Sequence, residues 1–87
     1  MHRMPTIDKD KLSEMVRSGK VKFSNHATQR LASRGIGPDA VTSMLLVGRI
    51  EFSSQGRDAK FCAKQGKLRA IFCQTVTAVE IISVFWV

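Results

Sequence analysis

Tyrosine is absent, tryptophan occurs once, cysteine and proline twice each, and acidic residues number 7 against 14 basic ones. Each shortage excludes something. Two cysteines cannot build the dense disulfide framework of a small secreted domain. Cys62, Cys73, His2 and His26 show none of the spacings of a zinc site. The carboxylates Asp8, Asp10, Glu14, Asp39, Glu51, Asp58 and Glu80 are scattered, so clustered-carboxylate chemistry with divalent metals is not expected. No metal and no cofactor is predicted. The first residues lack the apolar core of a signal peptide. The most apolar run, Ala78 to Val87, is too short to span a bilayer and contains Glu80. The expectation is a cytoplasmic protein without a membrane partner. No internal repeat or low-complexity stretch is present.

What is there fits one folded domain. Eighty-seven residues leave no room for a second core, and 44% hydrophobic residues exclude a disordered basic tail. The formal charge of +7 points to an anionic partner, either nucleic acid, a membrane surface or an acidic protein. Plain solubility is the competing explanation of that charge.

Apolar residues recur at helical spacing up to about residue 48 and at strand spacing afterwards. Asp8 caps a first helix over about 8–18, with a Leu12, Met15, Val16 stripe and Gly19 beyond its end. Val21-Lys22-Phe23 reads as a short extended link. Ser24 or Asn25 then caps a second helix over 25–34, stopped by Gly35. Gly37-Pro38-Asp39 opens a third over 38–47, with Val41, Met44 and Leu45 inward and Gly48 at its end. Four strands follow, at about 49–54, 58–64, 67–75 and 79–87. Their links are short enough for consecutive antiparallel hairpins. The last strand is apolar on both faces except at Glu80 and Ser83, which puts it inside the sheet. The predicted architecture is α+β: two to three N-terminal helices on one face of a four-stranded antiparallel sheet.

Two cationic surfaces emerge. A two-residue turn at Gln65-Gly66 would set Lys64 opposite Lys67 and Cys62 opposite Arg69. Phe61, Ala63, Leu68, Ala70 and Phe72 then share the face that helices cover. Lys60, Lys64, Lys67 and Arg69 share the other, with Arg57 at a neighbouring turn. Like charges set opposite each other destabilise a hairpin slightly, and an anionic ligand would relieve them. An ordinary solvated face is the alternative. On the second helix, His26, Arg30 and Arg34 are spaced i, i+4, i+8, at about 0°, 40° and 80° around the axis. Arginine offers a planar fork to phosphate oxygens, and histidine exchanges protons near neutral pH. The competing roles are structural: His26 as a capping or packing residue, and Arg30 and Arg34 paired with Asp39, Glu51 or Glu80. Cys62 and Cys73 suit free thiols on one hairpin face, opposite Arg69 and Asp58 in this register. Met1, Met4, Met15 and Met44 form no stripe. Trp86 suits the core or a subunit contact, which leaves a homodimer open.

The segment Phe23-Ser24-Asn25-His26-Ala27 through Arg30, then Arg34-Gly35-Ile36, resembles the S-x-H-A-x-x-R-x-x-x-R-G-I opening of the bacterial family called domain of unknown function 4258. Pro38-Asp39-Ala40-Val41, Gly48-Arg49-Ile50 and Ile81-Ile82-Ser83-Val84-Phe85 are similar to its continuation. The resemblance spans about residues 22–86. It implies kinship with the compact RelE/ParE and BrnT-like toxins, hence an RNA endonuclease toxin neutralised by an acidic cognate antitoxin. Carried across by position, it singles out His26, Arg30, Arg34 and Ser83. The chain departs from RelE-like toxins in lacking tyrosine and a polar catalytic tail after the last strand, so a mechanism using a C-terminal tyrosine does not apply.

The resulting expectation is metal-free RNA cleavage by attack of the ribose 2′-hydroxyl. His26 would move the proton, Arg30 and Arg34 would hold phosphate, and Lys60, Lys64, Lys67, Arg69 and Arg57 would guide the backbone. A second proton-transfer group is missing. His2 lies near the terminus, and Lys67 and Arg69 are poor acids. Two alternatives stand beside it: a module that binds nucleic acid without cutting, and a ParE-like toxin that inhibits a protein target by binding.

Overall fold

The computed structural model describes residues 6–87, so Met1, His2 and Met4 lie outside the described residues. Helix α1, Lys9–Arg17, starts where the Asp8 carboxylate accepts a hydrogen bond from the Lys11 amide at 3.1 Å. Its Leu12, Met15 and Val16 stripe is buried. Strand β1, Val21–Phe23, leads directly into helix α2, Asn25–Arg34. Ser24 caps α2. Gly35 closes it in the left-handed conformation at φ 63°, which a side chain rarely adopts. Helix α3, Pro38–Val47, begins with proline in its first turn, and no side chain caps it.

Four further strands follow: β2, Arg49–Gln55; β3, Ala59–Gln65; β4, Leu68–Gln74; and β5, Val79–Trp86. The fold is α+β, but the sheet has five strands in the order β1-β5-β4-β3-β2, and β1 runs parallel to β5. This corrects the four-stranded antiparallel expectation. Three residues are too few to reveal a strand by alternation, so Val21-Lys22-Phe23 reads as a link until β5 lies alongside. The Ser24 amide then bonds to the Ile81 carbonyl at 2.9 Å, and the Val79 amide to that of Lys20 at 2.8 Å. With β1 on its outer side, β5 is an interior strand, as its apolar sequence demands.

All three helices cover one face of the sheet. Leu12, Met15, Ala27, Leu31, Val41, Met44 and Leu45 form one core with Phe61, Ala63, Leu68, Ala70, Phe72, Val79, Ile81 and Val84. Phe72 is fully enclosed, and burial of a side chain that size contributes about 2–3 kcal/mol. Gly48 joins α3 to β2 where no side chain fits. A Cβ there would lie 2.5 Å from the Met44 carbonyl oxygen and 2.7 Å from that of Lys64.

The β3–β4 turn is Gly66-Lys67, not Gln65-Gly66. Gly66 has φ 59°, the positive value wanted at the first central position of a tight hairpin. Lys64 therefore faces Arg69 rather than Lys67, and Cys62 faces Ile71 rather than Arg69. Moving the turn by one position changes the cross-strand register by two residues, and an even shift preserves side-chain parity. The inward set Phe61, Ala63, Leu68, Ala70 and Phe72 is consequently unchanged and buried.

Candidate nucleic-acid interface

Helix α2 presents the first surface. Its Ala27 and Leu31 are buried, which fixes the rotation of the helix against β5. His26 and Arg34 are exposed and Arg30 is half-buried along one flank. The ion pairs among the described residues are both made by Glu51. Arg30 and Arg34 therefore have no carboxylate partner, and pairing with Asp39, Glu51 or Glu80 does not occur. The side chains of His26, Arg30 and Arg34 make no hydrogen bond to other described residues either. Arg34 also lies in the last turn, where a cation complements the helix dipole.

Ser24 is the residue of this segment whose importance the sequence understates. Its Oγ accepts a hydrogen bond from the Ala27 amide at 3.0 Å and donates one to the Ile82 carbonyl at 2.9 Å. One hydroxyl thus caps α2 and ties its first turn to β5, two residues before His26. The capping role is legible from residue type. The bond to a strand 58 positions away is not.

The second surface is the face of the sheet that no helix covers. Strand pairing sets Phe85, Arg69, Lys64 and Arg49 side by side across β5, β4, β3 and β2. The neighbouring row is Ser83, Ile71, Cys62 and Glu51. Lys64 Nζ lies 2.6 Å from Glu51 Oε2, and Arg49 Nε lies 3.4 Å from Glu51 Oε1. The hydrogen bond and charge of Lys64 hold the Glu51 carboxyl below the usual carboxylate range. Arg69 donates from Nη1 to the carbonyls of Gly66 at 2.7 Å and Leu68 at 2.8 Å. Lys60 is half-buried on this face, whereas Lys67 and Arg57 are exposed in the two turns.

The two surfaces do not share a face. α2 packs on the side of the sheet formed by Val79, Ile81 and Val84, while Ser83 alternates to the side of Ile71 and Arg69. The sheet separates Ser83 and the cations Lys60, Lys64 and Arg69 from the layer that holds His26, Arg30 and Arg34. The half-buried thiol of Cys62 and the buried one of Cys73 are both free. Burial pushes both above the usual thiol range, and for Cys73 the hydrogen bond to Glu80 at 3.6 Å adds to this. Cys62 faces Ile71, and Cys73 pairs with Glu80 of β5 rather than facing Asp58.

No group of three or more potential metal ligands occurs among the described residues. None of their helices is long and apolar enough to cross a membrane. No family model, curated protein or solved structure matches the chain.

Proposed function

We propose that this chain is a small basic RNA-binding domain of the toxin type, acting in the cytoplasm and held in check by an acidic cognate antitoxin. The observation that carries the RNA-binding part is the α2 flank, with one imidazole and two guanidinium groups in a rising stripe and no carboxylate in contact. Two unpaired forks spaced about 6 Å along a helix suit successive phosphates of a single strand. The toxin and antitoxin assignments rest on the resemblance alone.

Binding is favoured over cleavage. Transesterification needs a proton acceptor and a proton donor around the phosphate, and helix α2 brings one such group, His26, to the flank of Arg30 and Arg34. Metal-free cleavage with His26 as the proton-transfer group is the second reading, supported by the exposure of that ring beside Arg30.

A labelled single-stranded RNA titrated at several salt concentrations tests both. Each phosphate contact on a single strand contributes about 0.7 to the slope of log K against log salt, so Arg30→Ala/Arg34→Ala should flatten it by about 1.4. An unchanged slope and affinity would overturn the RNA reading. Gel analysis of the same samples separates the alternatives. Intact RNA favours binding alone, whereas fragments made by the parent and not by His26→Ala establish cleavage.

A further inference from the structure

We propose that the helix-free face of the sheet docks an acidic amphipathic α-helix from a partner protein. The inference rests on the partner half of the reading above, and it names where and how such a partner binds. Its first support is the row Arg69, Lys64, Arg49, which runs across three adjacent strands. Strands about 4.8 Å apart make that row about 10 Å long. Carboxylates at i, i+3 or i+4, and i+7 on a helix also span about 10 Å, so one acidic stripe matches the row. Arg69 is already held by its two bonds to the Gly66 and Leu68 carbonyls, which lowers the entropy lost when it pairs. Its remaining guanidinium donors can meet a carboxylate side-on.

Apolar side chains border that row. Ile71, Cys62 and Phe85 are half-buried on a face that no described element covers. A helix with an apolar stripe beside its acidic one would cover them and exclude water from the charge pairs. RNA suits this face less well. Ile71, Cys62 and Phe85 beside the row offer a phosphate backbone nothing, whereas the apolar stripe of an amphipathic helix covers them. A second copy of the chain suits it less still, because the cationic row would oppose itself.

The test uses the full chain and three probes: a synthetic Glu/Leu amphipathic helix of about four turns, the same peptide with every Glu replaced by Gln, and a single-stranded RNA. Amide shift mapping on the parent should place the acidic peptide on Cys62, Ile71 and Phe85, and the RNA elsewhere. Arg49→Glu/Arg69→Glu, checked for folding by circular dichroism, should weaken the acidic peptide at least about tenfold. The same variant should weaken RNA binding less than it weakens the acidic peptide, since the RNA contacts assigned above lie on α2 and the sheet face adds only to the overall charge. No binding of the acidic peptide, equal binding of the neutral one, or peptide shifts confined to α2 would each overturn the inference. RNA shifts on the sheet face would overturn it too. Loss of RNA binding by Arg30→Ala/Arg34→Ala is read separately, so failure of one proposal is distinguishable from failure of the other.

Discussion

Ser24→Ala is the perturbation that most directly tests how α2 is held. The substitution removes two bonds at once, the cap to the Ala27 amide and the tie to the Ile82 carbonyl. Loss of a serine cap costs about 1 kcal/mol. The bond to Ile82 is exposed to water, so its contribution sits at the low end for a hydrogen bond, about 0.5 kcal/mol. Together they come to about 1.5 kcal/mol. In a domain of this size each kcal/mol moves Tm by about 4–8 °C, which gives an expected drop of about 6–12 °C in calorimetry or circular dichroism. Two companions separate the terms. Ser24→Asp keeps an acceptor for the cap but brings no proton to the Ile82 carbonyl, so it should fall between parent and Ser24→Ala. Asn25→Ala should melt close to the parent, because its side chain has no hydrogen-bond partner among the described residues. A Ser24→Ala protein melting within about 2 °C of the parent would refute the account of α2 as a doubly anchored helix. An Asn25→Ala protein that loses as much as Ser24→Ala would refute it equally.

Further expectations concern the junction and the sheet face. Gly48→Ala places a Cβ against two carbonyl oxygens, and backbone cannot move aside as a side-chain tip can, so a loss of about 1–3 kcal/mol is expected in urea unfolding. A parent-like midpoint would mean that the α3–β2 junction is looser than its geometry indicates. Glu51 is a carboxylate whose folded-state value is depressed by Lys64, so its stabilisation is present above its unfolded value and lost as pH falls through the folded one. Glu51→Gln should therefore be less stable than the parent at neutral pH and converge with it in acid. Two melting curves that stay parallel down the acid side would remove Glu51 from the pH dependence.

Much of the layout is written locally. Asp8, Ser24, Gly35, Pro38 and Gly48 sit where helix-end chemistry wants them, and the Leu12-Met15-Val16 and Val41-Met44-Leu45 stripes mark the inward faces. These signals act over three or four residues, so no tertiary partner is needed to read them. The alternation in β3 and β4 is equally local, and it identified the buried face despite a misplaced turn, because the error preserved parity. β1 was not legible: a strand of three residues has no period, and its identity comes from the β5 edge beside it. The β5 register was not legible either. It slips between Ile71 and Phe72 of β4, so Ile71 pairs with Ser83 while Phe72 pairs with Ile81.

The candidate surfaces divide in the same way. The amino-acid sequence by itself determined an excess of cations, a His26-Arg30-Arg34 stripe beside an apolar helix face, and a hairpin with lysines and arginine on one side. These follow from helical and strand periods, which are properties of the backbone. It took the folded chain to bring Glu51 to Lys64 and Arg49, while no carboxylate of the described residues reaches Arg30 or Arg34. The fold also put the two cationic surfaces in layers separated by the sheet. The physical reason is that pairing between charges and placement on either side of a sheet depend on which distant segments become neighbours. The residue spacing within any one segment does not carry that information.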